Sequence, residues 1–228
     1  MYKSLIAELF GTFCLVLVGT GAIVVSDMYQ DVIGHVGVAA AFGLVVMAMI
    51  YTVGDVSGAH LNPAVTIGFF IAGRFPGKRI FPYIVAQCLG AILASAALFT
   101  LFPDHNTMGA TLPDIGLLRS FVVEVVITLV LMMTILSVTR GSKEEGITAA
   151  MAIGGVVALA ALIAGPLTGA SMNPARSLGP ALFSGQLSYM WLYILAPIVG
   201  AGLAFPLCRS ARDSECCAGC TSTKRQAS

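Results

Sequence analysis

Charge is what this sequence lacks. Only 10% of its 228 residues are Asp, Glu, Lys or Arg, against about 25% in a soluble domain. The chain cannot dress a surface for water, so it is read as lipid-embedded. Basic runs are missing too, and the formal net charge is +1 at pH 7. That excludes nucleic acid as a partner, because its phosphates call for a concentrated basic face. Histidine is confined to His35, His60 and His105. No metal-ligand spacing, nucleophile–base pair or phosphate-binding loop occurs in the apolar stretches. The chain is therefore expected not to be an enzyme and to need no cofactor.

What is present is hydrophobic length. Apolar residues make up 57% of the chain, and the mean hydropathy is +0.92. The first stretch, Leu5 to Val25, is about 21 residues, long enough to span a ~30 Å hydrocarbon core and longer than the apolar region of a cleaved leader. It is read as a retained span. Hydropathy places spans at 5–26, 36–54, 81–102, 118–139, 147–165 and 189–208. Between the second and third lies 62–72, and between the fifth and sixth 173–183. Each is about 11 residues, or roughly 16 Å as helix, which is half a bilayer.

Both short pieces begin in the same motif. Ser57-Gly-Ala-His-Leu-Asn-Pro-Ala64 recurs 111 residues later as Thr168-Gly-Ala-Ser-Met-Asn-Pro-Ala175, and six of the twelve positions 57–68 match 168–179. Asn-Pro is a helix-start signal, since Asn caps free N–H groups and Pro sits where no N–H is needed. The similarity extends to Tyr83–Leu93 against Tyr193–Leu203, six of eleven identical, and to Glu8 and Glu124 at similar places in spans one and four.

Basic residues orient the set. With the N-terminus inside, the cytoplasmic segments hold ten of the twelve Lys and Arg, while loops 27–35 and 103–117 carry Asp27, Asp31, Asp104 and Asp114. The positive-inside bias places both termini in the cytoplasm. Each half has three full spans, an odd number, so the second half enters from the opposite face and the halves are inverted copies. The Asn62 and Asn173 helix starts must then meet near the midplane. Non-helical backbone at that depth survives only where it is buried in protein or lines a cavity. Two positive helix N-termini and the side-chain amides of both asparagines would face that cavity, welcoming a neutral solute with lone pairs and opposing cations and protons.

Two Asn-Pro-Ala motifs (Asn62, Pro63, Ala64 and Asn173, Pro174, Ala175) with Arg176 close behind the second resemble the aquaporin, or major intrinsic protein, family over residues 1–208. The resemblance implies an all-α membrane fold of six transmembrane helices plus two re-entrant half-helices. It also implies a homotetramer with one passive pore per subunit, in the plasma or inner membrane. Its selectivity filter falls on Phe42, Ala161, Ala170 and Arg176. Water-specific members place His where Ala161 stands, and glycerol facilitators pair two aromatics with Arg followed by Asp, where this chain has Ser177. The stretch 165–180 most resembles the nodulin-like intrinsic proteins and their bacterial relatives. These pass glycerol and hydroxylated metalloids such as arsenous or boric acid. A mainly water-selective channel is the alternative. A coupled secondary transporter, which also uses inverted repeats and broken helices, is a third.

Residues 1–208 are read as one channel domain with halves of about 1–103 and 117–208. Glu8 and Glu124 are ionisable groups within spans, functional suspects by default; the family analogy gives them a supporting role around the half-helices. His60 is either a pH gate at the inner vestibule or a hydrogen-bonded loop residue. The tail 209–228 holds Cys216, Cys217 and Cys220, soft ligands that suit a soft metal or trivalent arsenic, or else a disordered segment with no metal.

Overall fold

The computed structural model describes residues 1–139 and 143–211, with the side chains of 143–147 left aside. Cys216, Cys217 and Cys220 lie outside the described residues. Among the described residues eight α-helices follow one another: α1 (Tyr2–Met28), α2 (Gly34–Ser57), α3 (Pro63–Ile71), α4 (Ile80–Leu101), α5 (Leu117–Val138), α6 (Lys143–Thr168), α7 (Pro174–Ser184) and α8 (Met190–Ala211). All but α3 and α7 are long and apolar enough to cross a membrane. The molecule is thus the all-α, six-span architecture with two half-helices. Leu44, Leu89, Leu118, Leu159 and Ile163 point outward and exposed, as an integral membrane protein requires of its lipid face.

α1 and α2 run two or three residues past the hydropathy limits at both ends, whereas α4 and α5 agree with them to within one residue. The end of α6 differs for a specific reason. Its apolar stretch is expected to stop at 165, yet the helix continues through Pro166 to Thr168. Proline has no N–H for the carbonyl four residues earlier, which here belongs to Leu162. His35, at the start of α2, supplies the missing partner: its Nε2 lies 2.6 Å from the Leu162 oxygen.

The two halves repeat each other's packing. The pairs α1·α4 and α5·α8 correspond, as do α1·α2 with α5·α6 and α3·α8 with α4·α7, while α2 and α6 cross each other between the halves. Small residues set these approaches, as is usual where helices meet in lipid. A Cβ on Gly43 would stand 2.5 Å from the Gly154 carbonyl oxygen, and one on Gly154 would stand 2.6 Å from that of Gly43. Gly90 in α4 lies against the Leu9 carbonyl, and its counterpart Gly200 in α8 against that of Val125. The inverted three-helix repeat is therefore written into backbone contacts as well as into the motifs.

Candidate pore and filter

The half-helices are reached through two loops, 58–62 and 169–173, that leave the ordinary backbone regions in the same way. After a left-handed glycine (Gly58, Gly169), Ala59 and Leu61 in one loop have φ of 46° and 51°, and Ala170 and Met172 in the other have 44° and 51°. Left-handed conformation costs a non-glycine residue roughly 1–2 kcal/mol, so something must hold it. Glu8 does so for the first loop. Its carboxylate accepts from the His60 N–H at 2.9 Å, the Leu61 N–H at 2.7 Å and Gln87 Nε2 at 2.7 Å. Glu124 does so for the second, accepting from the Ser171 N–H at 2.8 Å, the Met172 N–H at 2.9 Å and the Thr168 hydroxyl at 2.7 Å. Both are fully buried. Tyr83 donates to the Ser57 carbonyl, and Tyr193 to that of Thr168, clamping the loop starts.

The asparagines then do two things at once. Each Oδ1 caps its own half-helix: Asn62 accepts from the Ala64 N–H at 2.8 Å, and Asn173 from those of Ala175 and Arg176 at 3.0 and 3.3 Å. Each Nδ2 donates across the molecule, Asn62 to the Met172 carbonyl at 2.7 Å and Asn173 to the Leu61 carbonyl at 2.9 Å. The expectation that the amides offer their donors to the cavity is therefore corrected by half. One N–H of each ties the two loops together, and one remains for the lumen.

A cavity of about 850 Å³ passes these residues. It is lined by Tyr51, Asp55 and Arg74 toward the face where α1 begins and α2 ends, by Asn62 and Asn173 midway, and by Phe42, Ala161, Ala170 and Arg176 beyond them. Arg176 is 1% exposed. Its Nη1 donates to the Gly109 carbonyl at 2.8 Å, and its guanidinium carbon stands 4.9 Å from the centre of the Phe42 ring, a cation–π distance. Its Nε and Nη2 have no acceptor among the described residues. Unsatisfied buried donors cost free energy, so a solute oxygen that reached these nitrogens would be bonded. Ala161 and Ala170 cluster with Ala39 and Ala164, so that part of the wall is methyl groups.

His60 is held on every side. It stacks on Phe69 at 4.6 Å, meets Phe75 and Tyr83 at 4.7 and 5.3 Å, and its Nδ1 lies 3.1 Å from the Thr66 hydroxyl. Three contributors carry little signal in the sequence. Gly19 leaves the space that the Phe42 ring fills. Gly109, which holds Arg176, lies in a loop outside both copies of the motif. Gln87 links Glu8 to the Thr66 hydroxyl; its place in the second half is taken by Pro197, so the repeat does not mark it.

Two capped half-helices meeting beside a cavity inside a six-span bundle define a membrane channel. The chain belongs to the Major intrinsic protein family, which it matches over residues 1–206. It is 45% identical over 200 residues to Aquaporin NIP1-1 of Zea mays, covering 87% of this chain and 71% of that protein. Nodulin-26 of Glycine max is also 45% identical over 200 residues, with 87% and 74% covered. The X-ray structure of the aquaglyceroporin from Plasmodium falciparum superposes with a TM-score of 0.82 at 25% identity, covering 90% of this chain and 94% of that one. The protein is a channel for water and small solutes, and not an enzyme.

Proposed function

We propose that the channel passes neutral polyols and metalloid hydroxides, glycerol and arsenous or boric acid among them, as well as water, and excludes protons and ions. Phe42, Ala161, Ala170 and Arg176 form its filter. The observation that carries this reading is that one cavity is lined both by a buried arginine and by a cluster of alanines. Arg176 lines the cavity and carries two buried donor nitrogens, Nε and Nη2, with no partner among the described residues, while Ala161 and Ala170 contribute only methyl groups. A hydroxylated solute finds donors and room in the same cavity. The resemblance to nodulin-26 and to an aquaglyceroporin supports the same solute class.

The distribution of Lys and Arg supports cytoplasmic termini, and the family relationship supports a homotetramer in the plasma membrane. Passive flux fits the carboxylates. Glu8 and Glu124 spend their oxygens on loop N–H groups, which leaves neither as a coupling site. A linear dependence of solute flux on its gradient, unchanged by a protonophore, separates this from a coupled transporter.

Stopped-flow permeability of proteoliposomes to water, glycerol and arsenous acid tests the filter. Ala161→His with Ala170→Thr is expected to keep water flow and lose the larger solutes. Wild-type vesicles that pass water but exclude glycerol and arsenous acid would instead establish the water-selective reading.

A further inference from the structure

Arg176 is fixed from outside the repeat. Its hydrogen-bond acceptor among the described residues is the Gly109 carbonyl, in the loop between α4 and α5. Met108 and Gly109 are both buried and both left-handed, with φ of 53° and 71°, and Gly109 packs against Thr20 of α1. A left-handed methionine needs a contact to hold it. His105 supplies one: its Nδ1 accepts from the Met108 N–H at 2.9 Å, and its Nε2 lies 3.3 Å from Asp27 Oδ2 at the end of α1. The His105 side chain is 7% exposed and that of Asp27 58%. Both bonds are made together by one tautomer, with hydrogen on Nε2 and the Nδ1 lone pair turned to Met108.

We propose that His105 is a positioning residue for the filter: its neutral ring latches the turn whose Gly109 carbonyl fixes Arg176, and acid opens the latch. Histidine is the side chain whose charge changes near physiological pH. Protonation puts a hydrogen on Nδ1, facing the Met108 N–H, so the acceptor is lost and two donors are opposed. Asp27 Oδ2 faces Nε2 and not Nδ1, so it does not replace the lost acceptor. The other groups nearby do not compensate. Asp31 is held by the Ser26 hydroxyl at 2.7 Å, Asp104 precedes His105 in the chain, and from α7 the charge facing this loop is Arg176 itself, through Gly109. Once the turn opens, the guanidinium has lost its acceptor. The side chain is then no longer held at the wall of the cavity it lines.

The inference rests on Arg176 being the filter arginine, and the experiment separates the two. Water and glycerol permeability is measured in proteoliposomes between about pH 7.5 and pH 5, the range in which a histidine titrates. Wild-type flux is expected to fall with acid by roughly fivefold, the population change one lost hydrogen bond supplies. His105→Asn keeps an acceptor near the Nδ1 position and does not titrate, so it should match wild type at neutral pH and stay flat in acid. Asp27→Asn, at an exposed position, should move the wild-type response to lower pH. An acid response that persists in His105→Asn, a flat wild-type profile, or an Asp27→Asn profile that does not move each overturns the latch. Arg176→Val, measured at neutral pH, is read for its water-to-glycerol ratio. An unchanged ratio there overturns the filter reading, whereas a changed ratio beside a failed His105→Asn result overturns the latch alone.

Discussion

Asn62 and Asn173 each join two jobs in one amide, and only one was legible. An Asn before a Pro announces a helix cap through chemistry local to the chain. The bond from Nδ2 to the opposite loop's carbonyl spans more than a hundred residues and leaves no local trace. The two jobs can be separated. Asp caps a helix about as well as Asn, so Asn173→Asp should retain the start of α7. It loses the donor to Leu61 and sets a negative charge where two helix N-termini converge. Proton leak under an imposed potential is expected to rise roughly tenfold, a change of about 1.4 kcal/mol in the barrier, with water flow nearly preserved. A leak no greater than wild type would mean that the barrier to charge lies elsewhere.

At the scale of elements, the repeat made the half-helices readable because their Asn-Pro starts break otherwise continuous apolar stretches. The carboxylates were harder. An ionisable residue in a span signals function without saying which; only the paired bonds to residues 60–61 and 171–172 show Glu8 and Glu124 holding strained loops in place. The crossing of α2 and α6 was not legible either, since Gly43 and Gly154 are two among 25 glycines. Their tight approach makes a clear prediction. Gly43→Ala puts a methyl group against the Gly154 backbone, and overpacking of this kind costs about 1–3 kcal/mol. The midpoint of thermal unfolding in detergent should fall, whereas Gly155→Ala, which has open space beside it, should leave it unchanged. Equal effects of the two would show that the crossing tolerates a shift.

For the whole molecule, opposed half-helices place two positive ends in one low-dielectric cavity. The proposed cation exclusion would then rest on the architecture as well as on the filter. Among the described residues, Cys14, Cys88 and Cys208 form no disulfide and none lines the cavity. With Cys216, Cys217 and Cys220 replaced by Ser, a small charged thiol reagent should therefore leave permeability intact. Ala161→Cys should become sensitive, losing most of its flux on modification. Protection of Ala161→Cys by glycerol would place the solute beside it. Insensitivity of that variant would remove Ala161 from the lumen.

Composition, span lengths and the repeated motif determined by themselves that this chain is a six-span membrane protein with two half-helices. Those features are local or periodic, and lipid admits few solutions for a backbone that must satisfy its own hydrogen bonds. The inverted arrangement followed from counting spans. The tertiary structure alone decided what surrounds the lumen. Which donors of Arg176 stay free, which loop carbonyl holds it, and how Glu8 and Glu124 fix left-handed backbone all depend on contacts between segments far apart in the chain. Hydropathy and motif spacing do not encode such contacts, because they arise only when the two halves close on each other.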